Sequence, residues 1–235
     1  MIGNTIQRIA DFLALGGPVV TILIGVSVIS AALVILKLWQ FLRERVGRHA
    51  NMERALAHWN AGGRQAAVAD LAASRSTAGM LVWQAMATIA SVAPEEADAV
   101  AERLQAEASA YLTRLQSGFR ALDAIAQVSP LIGLFGTVLG MIEAFRSLQE
   151  AGNSVDPSLL AGGIWVALLT TAVGLAVAMP TSLLLTWFES RVARERALME
   201  RALTIVLNPV RLAQPGRMPE GQGASAVQGN HVHAA

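Results

Sequence analysis

Three stretches without a charged side chain are read as spans: Gly16 to Leu36, Ala124 to Ile142 and Pro157 to Phe188. At 1.5 Å per residue they form helices roughly 32, 28 and 48 Å long, against a bilayer hydrocarbon core of about 30 Å. A surface helix of a soluble protein sets a charged face against its apolar one. None of the three does so, and each is expected to cross a membrane. The third is long enough either to project well beyond the bilayer or to bend at Pro180, where the ring removes a backbone donor. Composition agrees, since 54% of the 235 residues are hydrophobic, 15% are charged and the mean hydropathy is +0.47. Ordinary soluble domains are less apolar than this.

The arginines and lysine orient the spans. Lys37, Arg43, Arg45, Arg48 and Arg54 follow the first span, and Arg191, Arg194, Arg196, Arg201, Arg211 and Arg217 follow the third. Basic flanks belong in the cytoplasm. The N-terminal segment and the loop between spans two and three hold only Arg8 and Arg146, set against Asp11, Glu143, Glu150 and Asp156. Both are expected outside, which gives an N-out, C-in topology. "MIGNTIQRIADFLALGG" lacks the basic start and cleavage site of a signal peptide and reads as an amphipathic helix in the outer interface, with Ile2, Ile6, Ile9 and Leu13 on one face.

The expected fold is all-α, with three transmembrane helices and long cytoplasmic helical extensions. Its order is an outer-interface helix over 1–15, a first span over 16–38 and a cytoplasmic helical domain over 39–123. A second span over 124–149, an outer loop over 150–156, a third span over 157–188, a cytoplasmic helix over 189–212 and a disordered tail over 213–235 complete it. In the cytoplasmic body "NAGGR" at 60–64 separates two helices, and Pro94 with Glu95 and Glu96 marks a helix start. Leu104, Ala108, Tyr111, Leu115, Gly118, Leu122 and Ile125 recur at spacings of four and three, an a/d seam that predicts one continuous helix from about 94 to 150. The Gly-, Pro- and Gln-rich tail, with His231 and His233, reads as a solvated terminus.

Several chemistries are excluded. With no cysteine there is no disulfide or thiolate nucleophile, and four scattered histidines argue against a metal centre. The basic residues cluster beside apolar runs rather than over one face, so no nucleic-acid footprint follows. No enzyme and no cofactor is expected.

The spans themselves carry small-residue motifs. "SPLIGLFGTVLGM" places Pro130, Gly133, Gly136 and Gly140 in span two, and a GxxxG pair allows close helix approach. In span three Gly163, Ala167, Thr171, Gly174 and Ala178 form a second small stripe ahead of Pro180, with Thr170 about 100° away round the helix. Two such faces imply tight contacts within a protomer and between copies. A threonine in a membrane helix commonly bonds its own backbone, which by itself accounts for Thr137, Thr170 and Thr171. Against that stands the position of Thr137 and Thr171, each on a glycine-lined face near mid-depth. Glu143, at the outer end of span two, is either an entrance charge or a snorkelling residue paired with Arg146.

These motifs, "SPLIGLFGTVLGM" and "GIWVALLTTAVGLAVAMP", closely resemble the two pore helices of the ExbB/TolQ/MotA proton-channel family, most nearly its ExbB and TolQ branch. The likeness extends to three spans, an N-out topology and a large cytoplasmic loop. It implies a homopentameric ring in the bacterial inner membrane, bathed in membrane lipids. Inside the ring would stand the helices of an ExbD- or TolR-like single-span partner with a membrane aspartate, which energises a TonB- or TolA-like protein. It also implies that Thr137 and Thr171 face that aspartate along the proton pathway; Glu143 is a candidate pore-mouth residue from its own place at the outer end of span two. One departure stands out: the glutamate that ExbB and TolQ carry five residues before the third-span threonine is Val166 here. A flagellar- or gliding-type stator is the alternative within the family. A small transporter or scaffold would need inward charges or broken helices at midplane, and the sequence offers none.

Overall fold

The computed structural model describes residues 2–47, 50–150 and 157–207, with side chains from Gly17 onward except Pro94 and Leu159. Among the described residues the chain forms seven α-helices and one 3-10 turn.

Helix α1 (Ile2–Glu44) is kinked at Gly17, whose φ of 66° and ψ of −167° are non-helical. Pro18 follows, and proline drives the residue before it out of the α region, which glycine tolerates at positive φ. Gly17–Glu44 beyond the kink is long and apolar enough to cross a membrane. The expected apolar face of Ile2, Ile6, Ile9 and Leu13 lies outside the described side chains.

Helices α2 (Ala50–Asn60), α3 (Arg64–Ala72) and α4 (Thr77–Ser91) build a helical body beyond the spans. The break between α2 and α3 falls at "NAGGR", with Gly62 at φ 84°. Ser76 caps α4 by accepting the Gly79 N–H at 3.1 Å. Pro94–Glu96 forms the 3-10 turn that leads into α5 (Ala97–Gln116).

The expected continuous helix over 94–150 is divided. α5 stops at Gln116 and α6 (Phe119–Glu150) begins at Phe119, with Gly118 between them in the left-handed region at φ 81°. The Ser117 hydroxyl turns back to donate to Arg114 O at 2.8 Å. The seam survives the break: Leu104, Ala108, Tyr111, Leu115 and Leu122 are all buried, but Gly118 is exposed. Left-handed glycine after a helix is a common terminator, and here it outweighed the heptad pattern.

Helix α7 (Pro157–Leu207) runs for 51 residues, about 77 Å, and stays helical past Pro180. Its second half is the spine of the body. Phe188, Val192, Met199, Ala202 and Val206 are buried against Met52 and Trp59 of α2, Val82 and Met86 of α4, and Leu115 of α5.

In the spans the pattern inverts. Only 22%, 17% and 22% of the most apolar window of each long helix is buried, so most of each apolar surface points outward. Leu131 and Phe135 on α6 and Leu168 and Leu183 on α7 are more than half exposed. Water penalises such a surface at about 25 cal/mol per Å², and a bilayer does not. The chain is a multi-pass membrane protein with three candidate spans. The tail from 213, with His231 and His233, and the loop residues 151–156 lie outside the described residues.

Candidate functional site at the paired second and third spans

α6 and α7 pack antiparallel along their small residues. A Cβ added to Gly133 would meet Thr170 O at 2.9 Å and Thr171 Cα at 3.1 Å, and one on Gly140 would lie 3.1 Å from the Ala167 methyl. One on Gly174 would stand 2.6 Å from Ser129 O, and one on Gly163 would collide with the Ala144 methyl. These neighbours are mostly backbone, so the glycines set how closely the helices approach. Ala167 and Ala178 are buried on the same seam. The small-residue faces make the expected close contacts within the protomer.

A polar layer crosses this seam. The Thr170 hydroxyl donates to Ala167 O at 2.7 Å and to Gly133 O at 3.1 Å. Thr171 Oγ1 reaches the same Gly133 carbonyl at 3.3 Å, long for a hydroxyl donor. Thr137 donates to Leu134 O at 2.7 Å. Ser30 of α1 and Thr181 of α7 share a hydrogen bond of 2.7 Å, which ties α1 to the pair.

The sequence reading that set Thr170 off the packed face is corrected here. Thr170 is 2% exposed at the centre of the seam, and Thr171 is half-buried at its edge. Antiparallel helices in close contact follow a 3.5-residue period, so the buried positions run Gly163-side, Ala167, Thr170, Gly174 rather than through Thr171. The bond from Thr170 to its own backbone was expected; the one across to Gly133 was not.

Which way do Thr137 and Thr171 face? A Cβ on Gly136 would lie 2.6 Å from Thr170 Oγ1 and 2.9 Å from Val19 of α1, so these residues mark the α1 side of the seam. Thr137 lies about 100° beyond Gly136 on α6, and Thr171 about 100° beyond Thr170 on α7. In antiparallel helices the same rotational step leads to the same flank. Both threonines therefore stand on the flank turned away from α1, about one helical turn apart in height. An open groove of about 700 Å³ runs along it from Thr137 past Met141 and Phe145 to Arg146.

Two other positions fall elsewhere. Glu143, six residues from Thr137, is rotated about 120° from it. It is exposed, and the expected pairing with Arg146 is not made: Arg146 Nε donates to Glu150 at 3.0 Å instead. Val166, five residues before Thr171, is half-buried and rotated about 140° from it. Pro130, one turn before Gly133, is half-buried on α6, and Pro180 is exposed on α7.

At the far end of the spans the structure reveals a network that the sequence did not signal. Lys37, only 7% exposed, donates to Gln40 Oε1 at 2.8 Å, Leu115 O at 3.1 Å and Ser117 Oγ at 3.3 Å. Gln40 passes the chain on to Glu44 at 3.1 Å, and buried Glu195 on α7 accepts the Gly47 N–H at 3.3 Å. A trace of Glu195 was available, since 188, 192, 195, 199 and 202 continue a four–three spacing. Nothing comparable marked Lys37.

Three apolar helices around a hydroxyl-bearing glycine seam, with a helical body beyond the spans, define a polytopic membrane protein. The chain belongs to the MotA/TolQ/ExbB proton channel family, whose pattern matches residues 70–201. It is 32% identical over 191 residues to the putative biopolymer transport protein ExbB-like 3 of Synechocystis, covering 79% of this chain and 87% of that one. It is 42% identical over 85 residues to the biopolymer transport protein exbB1 of Vibrio cholerae, covering 34% and 37% respectively. To the Tol-Pal system protein TolQ of Haemophilus influenzae it is 48% identical over 59 residues, 25% of each chain. Apart from the Synechocystis protein, the match spans about a third or less of each of these relatives. The family is one of transport proteins rather than enzymes.

Proposed function

We propose that this chain is the ring-forming subunit of a motor in the bacterial inner membrane, driven by the proton-motive force. Five copies surround the transmembrane helices of a partner similar to ExbD or TolR, and the assembly energises a TonB- or TolA-like protein. The N-terminus faces the periplasm and the helical body the cytoplasm, as the basic flanks require. The observation that carries the reading is the flank shared by Thr137 and Thr171, turned away from α1 and without a charged residue at the depth of the two threonines.

The chemistry follows from that flank. A carboxylate at membrane depth is costly unless it serves transport, and a ring of hydroxyls offers it donors without competing charge. Thr171 suits this role because its bond to Gly133 O is long and easily exchanged. The described spans present no acid on this flank, and Val166 holds the position of the family glutamate. The proton-carrying acid then belongs to the partner. Each proton crossing 100 mV releases about 2.3 kcal/mol, enough to rotate or tilt helices held in a rigid ring. The Vibrio cholerae and Synechocystis relatives are named as biopolymer transport proteins, which favours this reading over a stator acting on a cytoplasmic rotor.

The test is proton flux into liposomes loaded with a pH-sensitive dye. The chain alone should not conduct, and the chain with its aspartate-bearing partner should. Flux through the chain alone, or undiminished flux after the partner's aspartate is replaced by asparagine, overturns the shared-site account.

A further inference from the structure

We infer that the groove between Arg45–Gly47, the start of α2 and the α3–α4 turn binds the phosphate of an anionic phospholipid headgroup in the leaflet next to the helical body. This rests on the membrane reading of α1 and not on the threonine site.

The groove has a volume of about 770 Å³ and is lined by Arg45, Gly47, Asn51, Glu53, Ser74 and Arg75, with Ser76 behind. Among the described residues neither Arg45 nor Arg75 meets a carboxylate. A third cation backs the floor. Arg191 Nη1 lies 3.1 Å from where a Cβ of Gly47 would stand, and its buried Nε has no acceptor. Guanidinium groups match phosphate oxygens with paired N–H donors. Asn51 gives its oxygen to Arg54 at 2.6 Å, which leaves its amide N–H groups for a ligand. Glu53 on the same wall and Glu195, which accepts the Gly47 N–H at 3.3 Å beneath it, disfavour a second negative charge, so the site suits a singly charged phosphodiester better than a polyphosphate.

Position selects the source of that phosphate. Leu38, Trp39 and Leu42 of α1 are exposed, and on α7 so is Trp187, so the apolar belt ends within a turn of the groove. Arg43 lies over Trp39 at 5.5 Å and Arg191 over Trp187 at 5.2 Å, cations at the level where headgroups begin. The backbone reinforces this. Arg45 holds φ 53° and Gly47 φ 93°, and the Arg45 and Val46 N–H groups close on Leu42 and Phe41 carbonyls. A left-handed arginine is an uncommon conformation. Basic pockets beside spans on the cytoplasmic side are suited to anionic headgroups.

Native mass spectrometry of the full-length protein, titrated with phosphatidylglycerol or phosphatidylcholine in detergent, tests this. Wild type should retain phosphatidylglycerol preferentially. Arg45→Gln with Arg75→Gln should weaken that retention about tenfold while phosphatidylcholine binding and the assembled mass stay unchanged. The matched Arg45→Lys, Arg75→Lys protein should keep most of it. Should the double glutamine variant fail to assemble, Arg75→Gln alone, on an exposed turn, must show a partial loss. Equal phosphatidylglycerol retention in wild type and the glutamine variants overturns the site. Displacement of the lipid by millimolar inorganic phosphate overturns the headgroup assignment in favour of a soluble anion.

Discussion

At the scale of single residues the proposed pathway assigns the neighbouring threonines different roles. Thr170→Val keeps the shape but deletes the bond to Gly133 O, a loss of about 0.6–1 kcal/mol in a membrane helix pair. The melting temperature in detergent should fall slightly while partner-dependent flux persists. Thr171→Val sits at the half-buried edge and should do the reverse: flux lost, assembly and melting unchanged. Equal loss of flux in both variants would remove Thr171 from the pathway. The glycines make a second contrast. Gly174→Ala pushes a methyl to 2.6 Å from Ser129 O and should cost about 1–3 kcal/mol through overpacking. Gly162→Ala meets nothing within 4 Å on the same helix, and should stabilise by roughly 0.5–1 kcal/mol through helix propensity. Thermal unfolding of the two variants side by side checks both signs.

Among elements the junction of α5 and α6 is the point at which the helical body meets the spans. Lys37 bridges it from α1, taking up Leu115 O at the end of α5 and Ser117 in the break. A cation at a helix C-terminus satisfies carbonyls that the helix leaves free. Lys37→Met should cost about 1–3 kcal/mol, because it orphans buried acceptors. The loss should be local, read as faster amide hydrogen exchange over 112–122 with little change in the interior of α7. Uniform acceleration along the chain would mean that Lys37 supports the whole fold rather than the junction.

For the whole molecule the topology is open to a direct measurement, because the natural chain has no cysteine. A single cysteine at Asn153 should react with a membrane-impermeant maleimide added outside intact inner-membrane spheroplasts. One at Arg201 should react only after the membrane is opened. Labelling of Arg201→Cys from outside would reverse the orientation drawn from the basic flanks.

The three spans, the helical class and the family were legible in the sequence, because they depend on composition and on local motifs: long charge-free runs, and glycines spaced at SPLIGLFGTVLGM. Those properties need no knowledge of neighbours. The break at Gly118 was half-visible, since a glycine after a serine can end a helix, yet an unbroken apolar seam ran over it. The division of labour between Thr170 and Thr171 was decided by the tertiary structure alone. A one-helix wheel has no second helix to fix the centre of contact, and Val19 of α1 and Gly133 of α6 had to be in place before one threonine became buried and its neighbour an edge. The same holds for Lys37, whose acceptors lie 78 and 80 positions along the chain. Sequence determined what could enter the membrane; which polar groups met there, and which were left facing outward, was determined by how the helices packed.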